Sequence, residues 1–212
     1  MFGKNQIRQQ EKGDGNHLSV VAIFATVQGE GPRAGQPAIF IRLGGCNLAC
    51  KFCDTEFEKF EEFELSQILA EVEKLKTIEK LVVITGGEPL RQPIEKLCQQ
   101  LLARNFAVQI ETNGTLFRDL PTQVEIVCSP KTGTLVKKET AERITAYKYL
   151  ISAYREKYMQ LPVIEHDREV YVQAIDEYDE EKNKVNFRKA QELVRLNGYK
   201  MSIQMHKVMG IE

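Results

Sequence analysis

Two hydrophobic periodicities alternate along this chain. Leu18 to Phe24 and Ala38 to Leu43 are short apolar runs that read as strands. Ser66 can cap a helix to about Lys76, with Ile68, Leu69, Val72 and Leu75 on one face. Leu81 to Thr85 is a buried-type strand stopped by Gly86-Gly87, and Pro93 suits the first turn of a helix reaching Asn105. Val108 to Glu111 is the next strand, ended by Asn113-Gly114; Val124 to Cys128, Tyr147 to Ile151 and Glu169 to Ala174 follow. Phe187 to Leu196 reads as a helix closed by Asn197-Gly198, and Lys200 to Met205 as a last short strand. Residues 1–17 are polar and rich in Gly and charge, which predicts a mobile N-terminal tail ahead of one domain over 18–212.

Strands that alternate with helices predict an α/β fold with a parallel sheet. Chemically loaded residues follow the strands: cysteines after Leu43, Gly86-Gly87-Glu88 after Thr85, Asn113 after Glu111, and Ser129-Pro130-Lys131 after Cys128. In parallel sheets and barrels, ligands gather at those carboxyl ends. Composition adds little beyond exclusions. A net charge of -1 leaves no electrostatic footprint for nucleic acid or an anionic membrane, and no apolar run is long enough to span a bilayer.

The strongest local signal is Cys46-Asn-Leu-Ala-Cys50-Lys-Phe-Cys53. Such a loop can wrap one iron–sulfur cluster, and three thiolates in place of four leave one iron open for chemistry. Structural zinc asks for four ligands in two pairs, and a disulfide leaves an odd thiol. Cys98 and Cys128 sit at apolar positions and read as small buried hydrophobes. An exposed three-thiolate cluster points to a reducing cytoplasm.

Thr85-Gly86-Gly87-Glu88-Pro89 is by itself a strand-to-helix turn or a backbone edge bared for a ligand. With the cysteine run, the chain resembles the radical S-adenosylmethionine superfamily. Gln28-Gly29-Glu30-Gly31, Phe40 to Cys46, Cys53-Asp54-Thr55, Ile110 to Gly114 and Ser129-Pro130-Lys131 narrow the resemblance to its 7-carboxy-7-deazaguanine synthase family. The match is strong over about residues 24–131, with Ser202 to Lys207 as a weaker echo. It implies an incomplete parallel barrel of the TIM type, a [4Fe–4S] cluster on Cys46, Cys50 and Cys53, S-adenosylmethionine on the open iron, and Mg2+ at Thr55. Phe52, Asp54, Gly86, Gly87, Glu88, Glu111, Asn113, Ser129, Pro130 and Lys131 are the implied cofactor contacts.

The implied reaction turns 6-carboxy-5,6,7,8-tetrahydropterin into 7-carboxy-7-deazaguanine and ammonia by hydrogen abstraction at C6 and ring contraction. Val27, Gln28, Gly29, Glu30, Arg42, Thr85 and Gln204 are the implied substrate contacts, with Glu30 and Arg42 the catalytic pair. Glu30 and Gln28 match the donors and carbonyl of an aminopyrimidinone, and the Arg42 fork matches a carboxylate. Other readings stay open: a solvated loop for Glu30, an ion pair of Arg42 with Glu111 or Asp54, a turn at Asp54-Thr55, and a surface charge at Lys131. His17 and His166 read as solvated, whereas Gln204 and His206 share one side of the last strand.

The short cysteine loop leaves the cluster in need of cover, from a flavodoxin- or ferredoxin-type electron donor or the second subunit of a homodimer. Two rivals are a glycyl-radical-enzyme activase, opposed by the QGEG and CDT segments, and a non-catalytic electron carrier, opposed by GGEP.

Overall fold

A computed structural model describes residues 5–76, 80–163 and 166–210. Residues 1–4 of the expected tail and Glu165 beside His166 lie outside them. The elements run β1 (His17–Val27), β2 (Pro37–Leu43), β3 (Glu61–Glu64), α1 (Leu65–Leu75), β4 (Leu81–Gly86), α2 (Glu95–Ala103) and β5 (Ala107–Thr112). Then come β6 (Glu125–Cys128), α3 (Lys138–Ala141), β7 (Ala146–Ile151), β8 (Glu169–Ala174), α4 (Glu180–Asn197), β9 (Lys200–Ser202) and α5 (Met205–Met209). The strands form one open sheet in the order β3-β1-β2-β4-β5-β6-β7-β8-β9. Pairing is parallel from β2 to β9, while β1 and β3 are antiparallel at one edge. This is the incomplete barrel that the resemblance implies, built on the parallel α/β layout that the strand and helix periods predict.

The pleat sorts the residues of each strand onto two faces. Ile39, Ile41 and Leu43 of β2, Val82 and Ile84 of β4, Val108 and Ile110 of β5, and Tyr147, Tyr149 and Ile151 of β7 join the main core. The helices complete that core with Ile68, Leu69 and Val72 of α1, Leu97, Cys98 and Leu101 of α2, and Ala190 of α4. The intervening residues Arg42, Thr85, Glu111, Lys148 and Gln173 line a cavity on the other face. Cys98 and Cys128 are fully buried in the core, as expected.

Several boundaries differ from the sequence reading for local reasons. α1 starts at Leu65, capped at Glu64, whose amide donates to the Gln67 side chain at 2.8 Å; Ser66 is its second residue. α4 starts at Glu180 rather than Phe187, because Asp179 accepts the Lys182 amide at 3.1 Å. Its first turns carry no apolar period; their inward residue is Asn186. β3 is a charged edge strand, Glu-Glu-Phe-Glu, without alternation to announce it. β9 stops at Ser202, since the Met205 amide donates to the Gly29 carbonyl at 3.1 Å and starts α5. Gln204 and His206 therefore do not share a strand face: Gln204 caps α5 and His206 lies within it.

Residues 5–16 of the expected tail make contacts with the fold: Ile7 pairs with Cys46 as a β-bridge, and the Arg8 amide donates to the Cys46 carbonyl at 2.8 Å. Gln10 donates to the carbonyls of Leu90 and Phe117 at 3.0 and 2.7 Å. These backbone contacts supply the order that the polar composition hides.

Asn186 fastens α4 to the sheet, accepting the Ala153 amide at 2.7 Å and donating to the Ile175 carbonyl at 2.9 Å. Asn186→Ala leaves both without a partner and should lower stability by about 1–3 kcal/mol. Urea unfolding checks this against Asn197→Ala, whose exposed side chain should matter little.

Candidate active site

A cavity of about 490 Å³ opens inside the curved sheet, a size that suits a small organic ligand. Cys46, Cys50 and Cys53 line one end of it, and Gln28, Gly29 and Glu30 line the other.

At the cysteine end, the chain leaves β2 through Gly44-Gly45. The Gly44 amide donates to Ser19 at 2.9 Å and the Gly45 amide to Phe57 at 2.8 Å. The Gly44 carbonyl receives Arg91 at 2.9 Å and Gln92 at 3.1 Å. Arg91 is 2% exposed and pairs with Glu11 of the N-terminal segment. That segment also holds the loop through Asn5, which donates to the Leu48 carbonyl at 2.9 Å, and through an Arg8–Glu58 ion pair at 2.8 Å. The short cysteine loop thus has a strap from its own chain. Burial raises the Cys46 thiol to about 12 and pushes Cys50 and Cys53 up as well, so all three must shed protons to a metal.

Gly86 and Gly87 let β4 approach this loop. A Cβ at Gly86 would meet the Leu43 carbonyl oxygen at 2.0 Å, and one at Gly87 would meet that of Gly45 at 2.1 Å and Cys46 Cβ at 2.9 Å. Both glycines line the cavity; Glu88 and Pro130 do not. Glu88 is fully buried and accepts from the Leu90 amide, the Thr112 hydroxyl and the Asn113 amide at 3.0, 2.7 and 2.7 Å. Its carboxylate ties the ends of β4 and β5 together; burial raises its pKa despite these donors. Asn113 donates to Asn47 of the cysteine loop at 2.9 Å.

Ser129, Lys131, Phe52, Asp54 and Thr55 also line the cavity. Lys131 donates to the Ser129 carbonyl at 2.9 Å, and Phe52 meets Tyr158 edge-on at 5.0 Å. Asp54 accepts from Gln204 at 2.9 Å and Lys207 at 2.7 Å. Burial would raise the Asp54 pKa, but Lys207 and Gln204 outweigh it and leave it lowered.

The far end is built on one buried cation, Lys148 of β7. It donates to Glu30 at 2.5 Å and to Glu111 at 2.8 Å. Gln28 and Gln109 donate to the second Glu111 oxygen at 3.2 and 3.0 Å, and Gln204 donates to the second Glu30 oxygen at 3.0 Å. Burial would raise Glu30, yet Lys148 and Gln204 hold its pKa below the ordinary carboxylate value. Gly29 lies under His206, whose Nδ1 would sit 2.5 Å from any Cβ there. The Gly31 amide donates to Ser202 at 3.1 Å, so the β1–β2 loop closes this end. Val27 and Thr85 line the wall. Arg42 lies over the Phe24 ring at 5.4 Å, in register with Thr85.

The sequence reading missed Lys148, Gln173, Asp176 and Lys207. Lys148 had the signal that marked Arg42, a charge within an apolar strand. The two alternative partners offered for Arg42, Glu111 and Asp54, are engaged by Lys148 and by Lys207. His166 is stacked on Tyr147 at 4.1 Å rather than solvated, while His17 is exposed at the start of β1.

A parallel incomplete barrel with three free thiols at its mouth defines the class. Residues 40–185 match the radical SAM superfamily, and the chain belongs to it. The chain is 49% identical, over 100% of its length and 96% of the relative's, to the 7-carboxy-7-deazaguanine synthase of Rickettsia prowazekii. It is 50% identical to that of Rhodospirillum rubrum over 72% of this chain and 66% of the relative. The crystal structure of QueE from Escherichia coli superposes with a TM-score of 0.74 at 27% identity, covering 90% of this chain and 95% of that one. Its family is that of the 7-carboxy-7-deazaguanine synthases.

The donor set fits the cluster that the superfamily implies. Among the described residues no three His, Cys, Asp or Glu side chains converge on one ion. A four-iron cluster places each thiolate on a separate iron, and Cys46, Cys50 and Cys53 are all free and face the cavity.

Gly87→Val should therefore damage the cluster as well as the cofactor site, because the new side chain strikes Gly45 and Cys46. Iron content and cluster absorbance after anaerobic reconstitution check this: both should fall in the variant. Full cluster with only cofactor binding lost would make Gly87 a ligand contact alone.

Proposed function

We propose that this chain converts 6-carboxy-5,6,7,8-tetrahydropterin into 7-carboxy-7-deazaguanine and ammonia, with a [4Fe–4S] cluster on Cys46, Cys50 and Cys53. The observation that carries the reading is the one cavity joining those thiols to a half-buried acidic floor of Glu30 and Glu111. The name borne by relatives at 49 and 50% identity supports it. When bound, the cluster and S-adenosylmethionine supply the one-electron chemistry, and the protein positions and shields the reactants.

Each residue then has a chemical task. Glu30 and Glu111 accept from the N–H groups of the aminopyrimidinone, and Gln28 fixes Glu111 by a 3.2 Å hydrogen bond. Ionised Glu30 offers an oxygen to a departing proton. Arg42, on the same face as Thr85, takes the substrate carboxylate with its planar fork. Gly86 and Gly87 bare a backbone edge for the methionine end of the cofactor, while Asn113, Ser129 and Lys131 line its path. Thr55 would hold Mg2+, which completes its octahedron with waters and substrate oxygens. A flavodoxin- or ferredoxin-type protein in the cytoplasm delivers the electron to a homodimer. A closed floor favours a small substrate over the protein partner of a glycyl-radical activase.

Anaerobic turnover of the reconstituted enzyme with the pterin and S-adenosylmethionine should yield 7-carboxy-7-deazaguanine by mass analysis. Cofactor cleavage without that product would reject the substrate. A charged hydrogen bond contributes about 1.5–3 kcal/mol, so Arg42→Ala should raise the substrate KM about tenfold or more. Thr55→Ala should reduce stimulation by magnesium and leave cofactor affinity unchanged. Parental behaviour of both variants across a magnesium titration would displace the substrate from this end of the cavity.

A further inference from the structure

Lys148 is a charged residue in a core strand, with its side chain 6% exposed between carboxylates exposed by 16% and 14%. Its ammonium reaches one oxygen of each, at 2.5 and 2.8 Å. The other oxygens of Glu30 and Glu111 are held by neutral amides of Gln204, Gln28 and Gln109. Each carboxylate oxygen can accept more than one hydrogen bond, so both retain acceptor capacity toward the cavity they line. Two anions and one cation leave this floor with one net negative charge.

We propose that Lys148 is a positioning residue that fixes which edge of the ligand meets the floor: it holds the Glu30 and Glu111 carboxylates side by side, so that they accept a ring edge with adjacent N–H donors and turn a carboxylate away. This rests on the substrate proposed above and deepens it. A carboxylate placed on this floor would meet a net negative charge in low dielectric. The acid end of the same ligand is thereby directed to the other charged wall, at Arg42. A clamp that only braced the β1–β2 loop would need no balance of charge between the two carboxylates.

Removing the cation separates the two roles. Two half-buried carboxylates left facing each other without the cation repel, and the pair then takes up a proton. Facing Lys148 are Glu30 from the β1–β2 loop and Glu111 from β5. The further charges on the cavity wall are Arg42 of β2, Lys131 after β6, Asp54 with its partner Lys207, Asp176, and His206 of α5.

The test measures anaerobic binding of 6-carboxy-5,6,7,8-tetrahydropterin, which keeps its ring N–H donors at alkaline pH where an oxidised pterin loses one, to the cluster-loaded protein by calorimetry, without S-adenosylmethionine so that no turnover occurs. The parent should bind with little change between about pH 6 and 9. Lys148→Met should bind at least about tenfold more weakly near pH 7 and recover as the pH rises and the trapped proton leaves. Lys148→Met with Glu111→Gln has a single carboxylate and should lose that pH dependence. Cluster content and S-adenosylmethionine affinity report whether each variant is intact. Should Lys148→Met fail to hold its cluster, Lys148→Arg decides: its fork respaces the carboxylates, so affinity should fall with no new pH dependence. An intact Lys148→Met that binds like the parent near pH 7, or weakly at every pH, overturns the inference alone; so does a Lys148→Arg of parental affinity. A parent that does not bind the probe overturns the proposed substrate and the inference together.

Discussion

The two-residue pleat of the parallel sheet is the constraint on which the molecule depends. Each strand must give one face to the helices, and alternation then decides what the other face receives. In β2, β4, β5 and β7 the helix-facing set is aliphatic or tyrosine. The residues between them are Arg42, Thr85, Glu111 and Lys148, and these face the cavity. A slip of one residue in β2, β5 or β7 would drive a charge into the core, and one in β4 would drive in Thr85, emptying the wall of the site. Fold and function share one register, so the charged residues inside core strands also guard against mispairing.

Buried charges on a concave wall are tolerable only when they satisfy one another. Lys148 does this for Glu30 and Glu111, and in doing so joins β7 to β5 and to the loop after β1. That loop is further anchored by Arg33 on Glu125 at the start of β6 and by Gly31 on Ser202 at the end of β9. The open side of the sheet is spanned by side chains and loop backbone instead of by strand pairing. An incomplete barrel thus keeps a closed floor, while the mouth stays available to a cluster.

Legibility in the sequence followed chemistry and period. Strand positions came from apolar runs, because parallel strands bury both faces of most residues. The thiol loop and the two glycines were legible because few other residue types can do their work. Glu88 reads in the sequence as a ligand group because it stands beside two glycines; in the fold its three donors are the backbone amides of Leu90 and Asn113 and the Thr112 hydroxyl. The opening of α4 and the edge strand β3 carry no apolar period, and the strap over residues 5–16 is held by main-chain and polar bonds that composition does not reveal. Lys148 was legible in principle, since the test that singled out Arg42 selects it too.

The two ends of the cavity are coupled through one amide. Gln204 donates to Glu30 of the floor at 3.0 Å and to Asp54, beside the last cluster cysteine, at 2.9 Å. Both of its bonds come from the same nitrogen, so a shift of either carboxylate is felt by the other. Asp54 also shares Lys207 with Asp176, which follows β8. Glu30 and Asp54 are thereby joined by a short hydrogen-bonded route through Gln204, which Lys207 extends to Asp176. Gln204 stands at the cap of α5 rather than on a strand, and the Met205 amide donates to the Gly29 carbonyl there, so the start of α5 is held against the loop that carries Glu30.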